Sequence, residues 1–422
     1  MLMFYYNLCY LMSFLIIFNY MYKDIQWNSI SWMLSCQYYS IWLIMLSFWI
    51  FSLMMMCLDK FSIMKMGMFL MLLGVLVMFF SSMDLIVFYL MFEISLIPTF
   101  FLIVYWGVNP ERLSAAYYML LYMLVISFPL LLYIFKMYLY GLTLKFSLLS
   151  MVMEFYSFSF WGYLIIYLAF FIKMPMYIVH IWLPKAHVEA PVYGSMILAG
   201  VLLKMGGYGL IRMLEIFVKS SMKFNYLWFS VGIVGSVLVG FVCMVQVDMK
   251  SLVAYSSVVH MNLMLCSLMT LSNFGFLSSY IMMISHGLCS SGLFYMVNIY
   301  YSRTSSRLLI LNKGLVSKLS ILMLWWFLFC SANFSFPFSV NFISEIMMVM
   351  VILTWDKGLM IYLMLICFMS SAYSLYLFSY IYHGGHVYDE SHYYTGEIKE
   401  FMVLIMHFFP LLMMMMNLII FM

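Results

Sequence analysis

Six ionisable side chains, Glu93, Lys173, Lys204, His260, His286 and Glu345, fall near the midpoints of long apolar runs. A charge at such a depth in a membrane helix costs roughly 2.5–3.5 kcal/mol on insertion scales, so its default meaning is functional. Carboxylate, ammonium and imidazole can together hand protons along. Desolvation favours the neutral form of a lysine, a nearby carboxylate favours the charged form, and a Glu–Lys pair that opens and closes carries the lysine across a release threshold. Histidine titrates near neutrality and relays protons through its two ring nitrogens. At similar depth, the six predict a row across the membrane plane. Ser256 lies four residues before His260 and Ser290 four after His286, a spacing that shares a helix face and could assist the relay. The competing reading is adhesion: one buried Glu–Lys pair can simply lock two helices, and one histidine can be a satisfied core residue. Six such groups are a costly way to glue helices that serines and small residues could hold.

The remaining polar features are weaker. Asp84, at the start of a span, reads as a helix N-terminal charge at the interface. His187 and Glu189, in the loop between Pro184 and Pro191, read as structural or gating groups. The stretch HGGHVYDESH, with His383, His386 and His392, reads as a solvated loop more than a metal tract. GGYGLIR at 206–212 ends a membrane helix instead of following a strand, so it is no nucleotide fingerprint. The eight cysteines are scattered with no C-x-x-C pair, which supports neither an iron–sulfur nor a zinc site; no metal is expected.

The elements that must position these groups follow from composition. The chain has 422 residues, 67% hydrophobic and 8% charged, where soluble domains carry about a quarter charged residues. The fold class is therefore all-α, a polytopic membrane protein, and the lack of a basic stripe argues against nucleic-acid binding. About 20 apolar residues per span gives thirteen helices, near 1–20, 38–58, 65–81, 83–106, 113–140, 162–183, 192–214, 226–247, 250–270, 273–300, 318–354, 358–382 and 400–421. The first is expected to be a retained helix, since no basic n-region or small-residue cleavage site accompanies it. The eleventh is too long for one straight span, and Pro337 within SANFSFPFS predicts a helix broken inside the membrane, with the Asn333 carbonyl released. Such a break is tolerated only when buried in protein or lining a hydrated cavity. Pro175 is expected to free the carbonyl of Phe171 beside Lys173, and Pro98 that of Ile94 beside Glu93. Lys204 is followed instead by Gly206, Gly207 and Gly209, which predict close approach of a neighbouring helix or water. Setting aside Lys173 and Lys204, loops after even-numbered spans hold ten lysines and arginines against seven after odd-numbered ones. That places the N-terminus on the positive-inside face and the C-terminus on the other.

Several stretches resemble a known family. KMPMYIVHIWLPKAHVEAPVYGSMILAGVLLKMGGYGLIR, FYLMFEISLIPTFFLIVYWGVNPERLSAAYY (88–118), DMKSLVAYSSVVHMNLML (248–265), MMISHGLCSSGLFYMVNIYYSRTSSR (282–307) and NFISEI (341–346) are similar to the antiporter-like, proton-pumping membrane subunits of respiratory complex I, over about residues 36–420. Glutamate at position 345 and the EAP wording resemble the subunit 4 branch, since subunits 2 and 5 carry lysine at the last site.

The resemblance implies one membrane domain (1–422) with two inverted five-helix repeats, each holding a broken helix. The first repeat is expected at about 65–214 and the second at about 226–354, with C-terminal helices at 358–421. It implies an input pair of Glu93 and Lys173, a central Lys204, relay histidines His260 and His286, and a terminal Glu345. The implied function is proton translocation in NADH:ubiquinone oxidoreductase, in the mitochondrial inner membrane, with the N-terminus on the matrix side and the C-terminus on the intermembrane-space side. Redox chemistry by NADH, FMN, iron–sulfur clusters and ubiquinone is expected in other subunits, with no cofactor on this chain. Expected partners are other complex I subunits, above all antiporter-like subunits 2 and 5, and lipids such as cardiolipin. Family members typically have a further first helix, which is expected to be missing here. A multi-subunit cation/proton antiporter, with the same lysine–glutamate core, is the alternative.

Overall fold

The computed structural model describes all residues except 1, 21–27, 30–32, 59–61, 154–157, 317, 386–395 and 422, and omits the side chains of 2–4, 17–20, 28–29 and 419–420. His386 and His392 lie outside the described residues; His383 is exposed just past a helix end.

Each of the thirteen predicted spans contains helix, but the span expected at 162–183 is helical only to Lys173 and again from Trp182, so its second half-helix, Trp182–Glu189, occupies the stretch expected to be a loop between Pro184 and Pro191. In chain order the helices are α1 (Leu2–Tyr20), α2 (Tyr38–Met56), α3 (Ile63–Ser81), α4 (Leu85–Ile94), α5 (Leu96–Trp106), α6 (Arg112–Gly141), α7 (Phe146–Met153), α8 (Phe160–Lys173), α9 (Trp182–Glu189), α10 (Val192–Ile197), α11 (Leu203–Ile216), α12 (Val218–Val245), α13 (Met249–Met269), α14 (Asn273–Thr304), α15 (Ser320–Asn333), α16 (Val340–Trp355), α17 (Met360–Tyr382) and α18 (Ile398–Met416). Ten of the spans are single helical stretches long and apolar enough to cross a membrane. α4 and α5 form one of them, interrupted at Ser95, and α10, a π-helical turn at Leu198–Leu202 and α11 form another. α7 is a short helix between spans that the sequence reading did not anticipate. α12 begins at Val218 rather than near 226, because a helix can project its polar first turns beyond the apolar slab. A two-residue hairpin, Asn28–Ser29 with Ser35–Cys36, is the one named sheet among the described residues.

Two spans are broken, α8/α9 and α15/α16, and the breaks are built alike. Prolines and left-handed residues stop each helix, and the carbonyls left over find partners within a few residues. The Met176 N–H donates to Phe171 O at 3.0 Å, and the Phe336 N–H donates to Ser331 O at 2.9 Å. The following half-helix then donates a side chain backwards: Trp182 Nε1 to Ile172 O at 3.1 Å, and Asn341 Nδ2 to Ala332 O at 2.8 Å. Ile178 (φ 85°) and Phe338 (φ 84°) sit at matching places in the two breaks. Bulky residues at positive φ store on the order of 1–3 kcal/mol each and persist only where the surroundings impose them. One expectation needs correction here: the Phe171 carbonyl is not left for the Lys173 ammonium, because the backbone of Met176 takes it.

α10, α11, α13 and α14 are almost wholly buried and form the centre, while α6, α17 and α18 present most of their surface outward. Gly206 explains how the centre closes on the first break. A Cβ there would lie 2.9 Å from Met174 N and 3.1 Å from Phe170 O, so α11 touches the end of α8 backbone to backbone. Gly287 does the same for α14, since its Cβ would lie 2.9 Å from Gly200 O in the π-turn. Pro410 interrupts α18 and releases the Met406 carbonyl, which accepts from Trp49 Nε1 at 2.9 Å and so ties α18 to α2.

Candidate functional site

The six predicted groups divide into two clusters. The first is built around Lys173, the last residue of α8. Its ammonium is buried, donates to Phe92 O at 3.1 Å and Ser95 Oγ at 2.9 Å, and lies 3.7 Å from the centre of the Phe92 ring. A carbonyl, a hydroxyl and an aromatic face together hold a cation out of water. Glu93, next to Phe92, points elsewhere: its Oε1 is buried without a hydrogen-bond partner, with the Ser127 hydroxyl of α6 nearby. Glu93 and Lys173 are close enough to act on one another electrostatically, yet the ammonium is bonded to other groups. Glu93 and Lys173, the expected input pair, are thus neighbours without a direct hydrogen bond between them.

The second cluster is a continuous chain of contacts. The π-turn at Leu198–Leu202 diverts the Leu203 N–H to the carbonyl of Leu198, away from its α-helical partner, Ala199. The Ala199 carbonyl accepts from the fully buried Lys204 ammonium at 2.5 Å, and Nδ1 of His286 lies 3.0 Å from the same ammonium. Insertions of this kind recur where a helix performs work. The His286 and His260 rings stand 5.7 Å apart, centre to centre. His260 Nδ1 lies 3.0 Å from Glu345 Oε1, an ion-pair distance without hydrogen-bond alignment. Tyr373 of α17 reaches His260 Nε2 at 3.4 Å. Lys204, His286, His260 and Glu345 thus come from α11, α14, α13 and α16 and form one file. His286 Nε2 is buried with no protein partner, a position that suits a water.

Other expectations fare differently. Ser256 and Ser290 do not bridge the relay, because their hydroxyls donate to the backbone carbonyls of Val253 (2.8 Å) and His286 (2.6 Å) on their own helices. Asp84 is the residue just before α4, as expected of an interfacial N-terminal charge. His187 lies on α9 and not in a loop. It is buried, stacks 4.6 Å from Phe294, has both ring nitrogens unpartnered, and feels the charges of Lys204 and Lys250. Beside it a surface cleft of about 270 Å³ is lined by Glu189, Lys250, Tyr193, Asn298 and Arg307. Glu189 accepts from Asn109 Nδ2 at 3.2 Å through one oxygen, and its other oxygen is buried and unpartnered. Ser95, Tyr373 and the Ala199 carbonyl were missed. Ser95 had a faint signal, a hydroxyl two residues from Glu93, whereas Tyr373 sits in an ordinary apolar run.

Residues 82–373 match the membrane family described as NADH:quinone oxidoreductase/Mrp antiporter. NADH-ubiquinone oxidoreductase chain 4 of Ceratitis capitata is 48% identical over 348 residues, covering 81% of this chain and 76% of that protein. Chain 4 of Apis mellifera ligustica is 39% identical over 410 residues, covering 96% and 91%. The chain belongs to the NADH-ubiquinone oxidoreductase chain 4 family. The fold is shared more widely. A chain of respiratory complex I from Thermus thermophilus with bound NADH superposes with TM-score 0.87 at 21% identity, covering 97% of this chain and 89% of that one. A chain of the Mrp complex from Dietzia sp. DQ12-45-1b superposes with TM-score 0.81 at 13% identity, covering 92% and 76%. Chain 4 members and Mrp-type proteins therefore share a scaffold, and family membership separates them.

Proposed function

We propose that this chain is the chain 4 membrane subunit of proton-pumping NADH:ubiquinone oxidoreductase and moves protons along the file of buried groups. The file Lys204–His286–His260–Glu345 carries this reading, because four expensive side chains from four helices meet within proton-transfer reach of one another or of one water. Glu93 and Lys173 act as the input switch. In the separated state the Lys173 ammonium rests on Phe92 O and Ser95 Oγ; swinging to Glu93 removes its charge from that site and changes the charge felt at Lys204. His187 and Glu189, with their unpartnered atoms beside the cleft, give water access to Lys204 and His286. The strained backbone at the two breaks supplies the deformable points.

The redox groups, NADH, FMN, iron–sulfur clusters and ubiquinone, belong to other subunits in this proposal, with subunits 2 and 5 as neighbours, cardiolipin among the lipids and the mitochondrial inner membrane as the location. The N-terminus faces the matrix and the C-terminus the intermembrane space. The matching construction of the breaks, five spans apart, supports two repeats. An odd offset makes equivalent helices run in opposite directions, hence inverted repeats. Carrying the offset through assigns α3 to α11 to the first repeat and α12 to α17 to the second, extending it past the expected boundary at 354.

Glu345→Gln tests the reading in assembled complex reconstituted in liposomes. Protons moved per NADH should fall while NADH-driven electron transfer to quinone in uncoupled vesicles persists. A wild-type ratio would remove Glu345 from the path. An isolated cation exchange activity of this chain would favour the antiporter alternative.

A further inference from the structure

The polar chemistry around Lys204 is asymmetric. Towards the cleft at Glu189 and Lys250, buried polar atoms lack partners: both nitrogens of His187, Nε2 of His286 and one oxygen of Glu189. Towards the opposite end of α11 the polar side chains on the Lys204 face of the helix are hydrogen-bonded. Lys204, Tyr208 and Arg212 follow at four-residue spacing, so they share one helix face, and each is at most 2% exposed. The Tyr208 hydroxyl accepts from Arg212 Nε at 2.9 Å and Nη2 at 2.7 Å and donates to Phe80 O at 3.1 Å. A hydroxyl has one proton to give and two lone pairs to offer, so Tyr208 has no capacity left for a proton arriving from Lys204. Arg212 is no relay for a travelling proton, because a guanidinium offers only donors and no acceptor lone pair. Its guanidinium also lies against the Phe146 and Tyr208 rings, and its counter-charge, Glu215 at 3.6 Å, is 41% exposed. Loops from this end of the bundle are cross-tied by the Leu34–Ser82 and Asp84–Lys145 bridges.

We propose that Arg212 seals the proton file at this end, by filling both lone pairs of the Tyr208 hydroxyl and placing a fixed positive charge between Lys204 and the membrane face beyond. The inference rests on the reading of Lys204 as a proton-carrying group. Arg212 is a positioning residue: it touches no travelling proton, and it acts through Tyr208 and through its field. Eight residues of helix put it about 12 Å from Lys204. A bare unit charge at that range, in an effective dielectric of about 20, would change the local proton population about tenfold, and the Glu215 carboxylate 3.6 Å away reduces that to a few-fold.

The test is passive proton permeability of liposomes holding the assembled complex, measured after an acid pulse without NADH. R212M should leak several-fold faster than wild type. R212K keeps the charge but loses the two-bonded fork, and should leak between the two. R212M/Y208F should return towards wild-type tightness, because the relay hydroxyl is gone. A tight R212M overturns the seal; should R212M fail to assemble, a tight R212K does so. Equal leaks in R212M and R212M/Y208F would also overturn it, by pointing to a packing void. R212M/K204M separates the two layers of argument: a leak equal to that of R212M refutes Lys204 as the carrier, and a leak restored to tightness supports both.

Discussion

Ser95→Ala probes the switch at its least disruptive point. The Ser95 hydroxyl accepts one of the Lys173 ammonium's hydrogen bonds at 2.9 Å and donates its own proton to Phe92 O at 2.6 Å. Removing it deletes a hydrogen bond to a charged group, worth about 1.5–3 kcal/mol. Phe92 O, relieved of one donor, takes the ammonium more fully and offsets part of that loss. The net change falls near the lower end, about 1.5 kcal/mol, or roughly a tenfold shift in the ratio of rested to Glu93-paired lysine. The pair then forms without its trigger. Assembled complex carrying the variant should oxidise NADH at close to the wild-type rate, with fewer protons moved per NADH, most visibly against a high proton-motive force. Its structure should show the Lys173 ammonium displaced towards Glu93. Ser95→Thr, which restores the hydroxyl, should restore the ratio. A wild-type proton ratio in Ser95→Ala, with the ammonium still on Phe92 O, would refute the switch.

Gly206→Ala forces a methyl to within 2.9 Å of Met174 N, and backbone on both sides leaves no room to yield. It should destabilise the subunit by about 1–3 kcal/mol, read as less assembled complex and a lower Tm. His187→Phe keeps a planar ring against Phe294 and removes both unpartnered nitrogens; pumping should slow several-fold with assembly intact, and an unchanged rate in stopped-flow proton uptake would remove His187 from the access route. Tyr373→Phe deletes only a long bond of 3.4 Å to His260, worth under about 1 kcal/mol. Its effect on pumping should therefore stay within about fivefold, well short of that of Glu345→Gln.

The helical class, most span positions and the burial of the ionisable groups were legible because intramembrane charge and proline are rare enough to be informative one residue at a time, whereas the half-helix at Trp182–Glu189 was taken for a loop because Pro184 and Pro191 read as turn signals. Lys204, His260, His286 and Glu345 could be picked from their depth alone. Their order of contact could not, since it depends on α14 lying against the π-turn through Gly287, a packing fact with no periodic signature. The partners of Lys173 were misread for a related reason. Pro175 correctly marked a break, but the released Phe171 carbonyl found Met176 locally, and the ammonium went to Phe92 and Ser95 on a different span. Helix periodicity also predicted serine bridges at Ser256 and Ser290. Buried serines in apolar helices instead bond back to their own preceding turn, and both do so here. The saturation of Tyr208 by Arg212 was hidden in a motif that sequence reading could only classify as not nucleotide-binding.

Lys204→Ala tests the central claim most directly. It removes the donor that joins the Ala199 carbonyl to His286 Nδ1, at the head of the file. In liposomes holding the assembled complex, protons moved per NADH should drop while electron transfer from NADH to quinone in uncoupled vesicles continues. An unchanged proton ratio in that variant would contradict the account.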